Sequence, residues 1–200
     1  MHASEQNRDD IRQARQEWKD SQSKLELKRL VFIDEAGAKT NMTRLRGRAQ
    51  GGQRCVDETP HGHWETTTMI SSIRIDGSTA CMVVDGSTSS DVFREYVRHV
   101  LVPALKPGDI VILDNLMAHK DAEAGRLIQA AEATVLPLPA YSPDLNPIEK
   151  MWSKVKEFLR NAKARTQEAL LNAIGEALKT ITHQDSLGWF SSCGYGASQA

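Results

Sequence analysis

Two short apolar runs, each closed by an aspartate, constrain this chain more than any other feature. They are LVFIDE, residues 30 to 35, and DIVILDN, residues 109 to 115. Side chains along a strand alternate between its two faces, so an unbroken apolar run requires both faces to be covered. That describes a sheet packed between helices. The acid at the end of each run marks where the strand leaves the apolar layer. In open α/β sheets ligands bind at that end, particularly where the strand order switches. If the two strands are adjacent and parallel, Asp34 and Asp114 project side by side into one crevice.

The remaining patterns supply the rest of such a sheet. From Trp64 to Ile75 the sequence is β-branched and roughly alternating, and IDGS then leads into TACMVV. An Asp-Gly between two such runs predicts a hairpin. Val92, Phe93, Tyr96, Val97, Val100 and Leu101 recur at helical spacing, with Ser89 or Ser90 as cap. A modest helix over 120–131, a short strand in TVLPLP, a helix from Asn146 and a last helix over about 166–181 follow. Strands first in a meander, then strand alternating with helix, predict an α/β fold. Its mixed sheet has an antiparallel meander followed by parallel strands, flanked by helices. Residues 1–29 read as a polar lead-in, helical or partly disordered, around Trp18. Residues 30–185 read as the functional domain and 186–200 as a glycine-rich C-terminal tail.

Composition excludes several classes. The formal net charge of the 200 residues is −1, so any nucleic-acid surface must come from local segregation of charge. Cys55, Cys81 and Cys193 are odd in number and far apart, which predicts reduced thiols and no zinc site. The N-terminus lacks the pattern of a signal peptide, and no run approaches the roughly 18 apolar residues of a membrane span. A cytoplasmic protein with no membrane partner is expected.

The acids admit two readings. Two close carboxylates repel unless a cation lies between them, and hard Mg2+ prefers carboxylate and water oxygens. A third acid on a nearby helix would complete a site for two such ions, suited to phosphoryl transfer. Equally, strand-end aspartates are common in turns. Glu149 has a strong structural explanation of its own. Asn146 as N-cap, Pro147 at the first helical position and Glu149 three after the cap form a near-ideal capping box. Glu35 is a decoy, because strand alternation turns it away from Asp34. Lys39, Arg44, Arg46, Arg48 and Arg54 form an acid-free stretch, and Lys150, Lys154, Lys156, Arg160, Lys163 and Arg165 form a second basic concentration. Such runs are solvated faces or phosphate contacts, which position DNA without reading its sequence. His119 and Lys120 follow Asp114. His119 is either near an attacked phosphate or a loop histidine, while His61 and His63 lack partners at ligand spacing.

Three segments taken together add a resemblance. LVFIDEAGAKTNMTRLRGRA, PGDIVILDNLMAHK and LPAYSPDLNPIEKMWSKVK resemble the catalytic domain of bacterial insertion-sequence transposases of the mariner-related superfamily (insertion sequence family 630). The resemblance implies a ribonuclease-H-like fold carrying an Asp, Asp, Glu triad. Carried over, the triad is Asp34, Asp114 and Glu149, and the 34 residues between the last two match the group's spacing. It further implies two Mg2+ or Mn2+ ions held by these acids, and cleavage and strand transfer of DNA. The basic residues Lys39, Arg44, Arg46, Arg48, Arg54, Lys150 and Lys154, with His119 and Lys120, are then the expected DNA contacts. The implied partners are transposon ends and target DNA, with a homodimer assembled on them at the bacterial nucleoid. Residues 1–29 have room for one helix and not for a paired DNA-reading module. A separately encoded N-terminal helix-turn-helix protein is therefore an expected partner. Two alternatives stand beside this reading: a non-catalytic DNA-binding or dimerising fragment that regulates a full-length transposase, and a related nuclease without strand transfer.

Overall fold

The two apolar runs are neighbouring strands at the centre of a five-stranded mixed sheet. In the computed structural model, which describes residues 4–58, 61–62, 64–114 and 121–196, the strands are β1 (Leu30–Lys39), β2 (Thr66–Ile73), β3 (Thr79–Asp85), β4 (Ile110–Leu113) and β5 (Thr134–Pro137). Their order is β3-β2-β1-β4-β5. The first three pair antiparallel, and β4 and β5 add in parallel on the other side of β1. The expected meander followed by parallel strands is the observed topology, and the Asp-Gly turn closes the β2–β3 hairpin.

Alternation divides the apolar residues between two layers. Leu30, Phe32, Ala36 and Ile112 join one core cluster, and Val31, Ile33, Val111 and Leu113 join the other. The second layer is covered by α2 (Ser90–Tyr96) and α3 (Ala122–Ala130), through Phe93, Tyr96, Ala124 and Ile128. The first is covered by α4 (Pro147–Ala162), α5 (Gln167–Lys179) and α6 (His183–Ser192). Ile148, Met151, Trp152, Val155 and Leu159 form the buried stripe of α4. Their 3.6-residue period is what seats this helix on the sheet.

Two segments differ from the sequence reading, the helix over 92–101 and the tail, while the lead-in is helical, one of the two forms expected of it. The helix expected over 92–101 is regular only to Tyr96. It widens into a π-type turn over Val97–Leu101 and ends as a 3-10 turn over Val102–Ala104. Pro103 has no amide hydrogen with which to continue the regular ladder. The lead-in 1–29 contains helix α1 (Asp9–Gln22), which buries Trp18 and Gln22. The supposed tail is also structured: α6 and the turn after it place Phe190, Cys193 and Tyr195 in the core. The two ends of the described chain hold each other. Trp18 Nε1 donates to Tyr195 Oη at 3.0 Å, and that hydroxyl donates to the Leu145 carbonyl at 2.9 Å. Phe32 lies edge-on to both Phe190 and Tyr195, with ring centroids 5.3 and 5.0 Å apart. Glycine-rich composition hid this, because Gly194 and Gly196 serve a turn at positive φ and do not loosen a tail.

Burial pushes the Tyr195 phenol up to about 12, so it remains a neutral donor across the physiological range. Replacing it with Phe leaves the Trp18 N–H and the Leu145 carbonyl without this partner. Each buried group so orphaned costs about 1–3 kcal/mol. Tyr195→Phe is expected to lower the urea midpoint by a matching amount with an unchanged slope, and an unshifted midpoint would show that the relay contributes nothing.

Candidate active site

Asp34 lies in the middle of β1, because β2 continues to pair with β1 as far as Lys39. The run was expected to end the strand there; what ends is its pairing with β4. The parallel ladder joins Leu30 to Ile110 and Phe32 to Ile112. Continued two residues, the same register sets Asp34 opposite Asp114, just past the last residue of β4. Adjacent strands lie about 4.8 Å apart. Both acids share the parity of Phe32 and Ile112, so both lie on the sheet face covered by α4. Asp34 is buried, at 6% exposure, and Asp114 is partly buried. Glu35 has the parity of Val31 and Ile33 and belongs to the opposite face, as alternation requires.

Glu149 occupies the first turn of α4. It and Asp114 line one cleft of about 510 Å³ together, among the described residues, with the segment Leu138 to Pro143 and Asn146. Desolvation raises the pKa of the Glu149 carboxyl. Lys156 works against the rise and the negative charge of Asp114 adds to it. Two acids far apart in sequence therefore sense each other's charge. Among the described residues no set of three His, Cys, Asp or Glu side chains is close enough to hold a metal ion. The donor set is nonetheless the oxygen-only, like-charged kind that suits Mg2+ or Mn2+. Desolvation is the main cause of the raised Glu149 pKa, and the smaller repulsion from Asp114 is the part a cation would relieve.

The expected capping box does not form. Asn146 occupies the N-cap position, but its side chain makes no capping bond, and its buried Oδ1 has no hydrogen-bond partner. The Asn146 amide already donates to the Pro143 carbonyl at 3.2 Å. The 3-10 turn Pro143–Leu145 thus satisfies the group that Glu149 would have capped. Pro147 at the first position removes one further donor. The helix start is set by prolines and backbone, which leaves the Glu149 carboxylate to the cleft.

Several residues at the site carried no sequence signal. Arg15, from α1, reaches the loop before α4. Its Nη1 donates to Ser142 Oγ at 2.7 Å and Asp144 Oδ1 at 3.0 Å, and its Nη2 donates to Asp144 Oδ2 at 2.7 Å. This fork holds the Asp144 carboxyl below its ordinary pKa. The contacts span more than a hundred residues of chain, and only helical spacing from the buried Trp18 hinted that Arg15 faces inward.

The two basic segments meet on one surface. Arg44 Nε donates to Asn161 Oδ1 at 2.7 Å, and Arg165 Nη1 donates to the carbonyls of Thr40 and Met42, each at 3.0 Å. Arg44, Arg46, Arg48 and Lys163 line one groove, and Arg44, Arg46, Arg160 and Ser153 line its neighbour along the exposed side of α4. Arg54 and Lys150 are exposed. Lys39 is exposed at the end of β1, 5.8 Å from the Trp64 ring. Lys154 is differently placed: its Nζ donates to Asp185 at 2.6 Å and to the Thr180 carbonyl at 2.8 Å, so it ties α4 to α6. His119 and Lys120 lie outside the described residues, as does His63.

Comparison with known proteins accords with this geometry. Residues 29–171 match the family described as DDE superfamily endonuclease. The transposable element Tc1 transposase of Caenorhabditis elegans is 26% identical over 99 residues, which are 50% of this chain and 36% of that protein. The Mos1 transposase paired-end complex with the left transposon end superposes with a TM-score of 0.78 at 15% identity. That match covers 97% of this chain and 61% of that one. The Mos1 mariner paired-end complex with Mn gives 0.74 at 16% identity, with 97% and 61% covered. The Mos1 transposase catalytic domain with Raltegravir and Mg gives 0.66 at 14% identity, with 97% and 92% covered. The chain thus spans about a third of the Tc1 protein and three-fifths of the full Mos1 chain. At these identities the structural likeness shows the fold, which is the ribonuclease-H-like one of transposase catalytic domains.

A raised carboxyl pKa means that the folded state disfavours ionised Glu149. This cost is fully present above the raised pKa and disappears as pH falls toward the ordinary range near 4.3. Glu149→Gln removes it. Without divalent ions at pH 7, the variant is expected to melt no lower than wild type, and the difference should vanish by about pH 4. Mg2+ or Mn2+ should then raise the melting temperature of wild type more than that of Glu149→Gln. Equal metal-induced shifts in the two proteins would take Glu149 out of the ion site.

Proposed function

Because the chain belongs to the DDE superfamily of endonucleases, we propose that it is a transposase catalytic domain that cuts DNA strands at the ends of an insertion sequence and joins them to a target. The observation that carries this reading is the cleft in which Glu149 senses the charge of Asp114, on the same sheet face as Asp34. In it, Asp34, Asp114 and Glu149 hold two Mg2+ or Mn2+ ions. The neighbours solved with Mn and with Mg support the choice of ion. When bound, such ions supply Lewis acidity and lower the pKa of water.

The chain's own residues do the placing. Asp34 is fixed by the ladder on its β2 side, and Asp114 by its position at the end of β4. Glu149 is fixed by a helix start that owes nothing to its carboxylate. In the first reaction a water oxygen attacks phosphorus and the 3′-oxygen leaves, giving a 3′-hydroxyl and a 5′-phosphate. In the second, that 3′-hydroxyl attacks a target phosphodiester, forming one phosphorus–oxygen bond as another breaks. Arg44, Arg46, Arg48, Arg54, Lys39 and Lys150 receive the DNA backbone; His119 and Lys120, expected DNA contacts from the sequence, lie outside the described residues. Lys154 contributes by holding α4. Two copies act together on DNA, a reading supported by Leu45 and Val56, large apolar side chains 76% and 80% exposed within the basic loop. Recognition of the terminal repeats falls to a helix-turn-helix unit, and the site of action is the bacterial nucleoid.

Plasmid nicking with Mg2+ or Mn2+ tests the reading. Asp34→Ala, Asp114→Ala and Glu149→Ala are each expected to reduce nicking to background, with circular dichroism unchanged. Undiminished nicking by any one removes that residue from the site. Supplying a pre-cleaved 3′-hydroxyl end and a target duplex should yield joined product; cleavage without joining makes the chain a nuclease. No cleavage with either ion makes it a regulatory DNA-binding fragment.

A further inference from the structure

Tyr141 is the feature of the cleft that the carboxylates leave unexplained. It is a large aromatic residue, 46% exposed, on the wall shared with Asp114 and Glu149. Its backbone sits at φ 56°, a left-handed conformation uncommon for a bulky side chain. Two donors from the N-terminal segment converge on its carbonyl: Gln6 Nε2 at 2.6 Å and Arg15 Nη1 at 3.3 Å. Arg15 at the same time grips Ser142 and Asp144 on the other side of the bend. A sparsely populated backbone state persists only where its surroundings over-determine it, and such states cluster at functional sites. A buried aromatic would need no such clamp, and an incidental surface aromatic would not be given one.

We propose that Tyr141 is a stacking platform for an unpaired base beside the scissile phosphate. The proposal rests on the DNA-cleaving reading above and adds a contact to it. Asp34 is recessed on the sheet face while Asp114 and Glu149 are more open, so a scissile phosphate approaches all three best where the strand bends toward the sheet, and a sharp bend of that kind unstacks a base step. An exposed aromatic face accepts whichever base is released, since every base has a π-face. The wall around Tyr141 fits this occupant: Leu138, Pro139, Ala140 and Pro143 make it apolar, while Asp114 and Glu149 confine charge to the reacting end. Helix α1 thereby reaches the reaction through Arg15, as a positioning element that touches no reacting atom.

The test is a nicked duplex carrying 2-aminopurine on either side of the nick, titrated with the full chain in Ca2+ so that chemistry is held off. Nicking by the same proteins is followed separately in Mg2+ or Mn2+. Wild type, Tyr141→Phe and Tyr141→Trp are expected to quench the fluorophore at one of the two positions. Tyr141→Ala should lose that quench and bind roughly tenfold more weakly, with its thermal midpoint preserved. Arg15→Ala should weaken the quench and Arg15→Lys should recover part of it, since only the orientation of the loop changes. Quenching by Tyr141→Ala equal to wild type, in a wild type that nicks DNA, overturns the platform alone. Quenching that depends on Tyr141 in a wild type that does not nick upholds the platform and removes the enzymatic reading. Burial of Tyr141 by self-association without DNA, seen as concentration-dependent protection of the ring from iodination, would assign it to a protein interface and overturn the proposal.

Discussion

Leu30 lies opposite Ile110 and Phe32 opposite Ile112 in the parallel ladder between β1 and β4, and the position of every acid at the site follows from that register. Side chains repeat every two residues along a strand, so slipping either strand by one would send its aspartate to the α2–α3 face. It would also drive Phe32 or Ile112 out of the cluster that seats α4. The apolar contacts and the placement of Asp34 and Asp114 are thus a single constraint. The ladder stops at Phe32 on this side while β2 continues to Lys39. Asp34 consequently has one edge held by backbone hydrogen bonds and the other open where β4 has ended. A nearly buried carboxylate, just beyond the last pairing of β1 with β4, is the physical outcome.

The charge of Asp114 adds to the rise in the Glu149 pKa, and the fold supplies the rigidity that fixes the start of the helix carrying Glu149. On the α4 side it comes from the aromatic group of Phe32, Phe190 and Tyr195, with Trp18 bonded to Tyr195 and Tyr195 to the Leu145 carbonyl. That carbonyl lies in the 3-10 turn from which α4 starts. Arg15 adds the second tie, to Tyr141, Ser142 and Asp144 just before it in the loop. The first helix of the chain and its last described turn therefore converge on the six residues that aim Glu149. These segments pack into one body with the sheet, although their sequences are polar in one case and glycine-rich in the other.

The layers of the fold were legible because they rest on period. Val31 with Ile33, and the stripe from Ile148 to Leu159, announce a strand and a helix whatever their partners are. The triad candidates were legible because strand ends and the Asn-Pro helix start are local signals. What escaped was everything that depends on a distant partner. The capping box was the locally best use of Glu149, and it failed because Pro143, from the preceding turn, had already taken the Asn146 amide. Lys154 looked like a phosphate contact from the sequence, yet its ammonium is bonded to Asp185 of α6 and to the Thr180 carbonyl at the end of α5. Arg15 carried no motif at all, and Tyr141 lay inside the segment LPAYSPDLNPIEKMWSKVK without a role of its own; their roles exist only once α1 lies against the loop.

Charge follows the same logic. A chain of formal net charge −1 offers DNA no general attraction. Yet two basic segments more than a hundred residues apart are joined by Arg44 to Asn161 and by Arg165 to the Thr40 and Met42 carbonyls, making one surface beside α4. Segregation gathers positive charge beside α4 and leaves carboxylates at the cleft; in the proposed function a phosphate backbone lies on the first and reacts at the second. A polyanion drawn to the first region is repelled by the second until cations occupy it. Metal binding and DNA binding are therefore expected to reinforce each other, because each lowers the electrostatic cost of the other. Within the raised pKa of Glu149, caused mainly by desolvation, the contribution of Asp114 is one part of that cost.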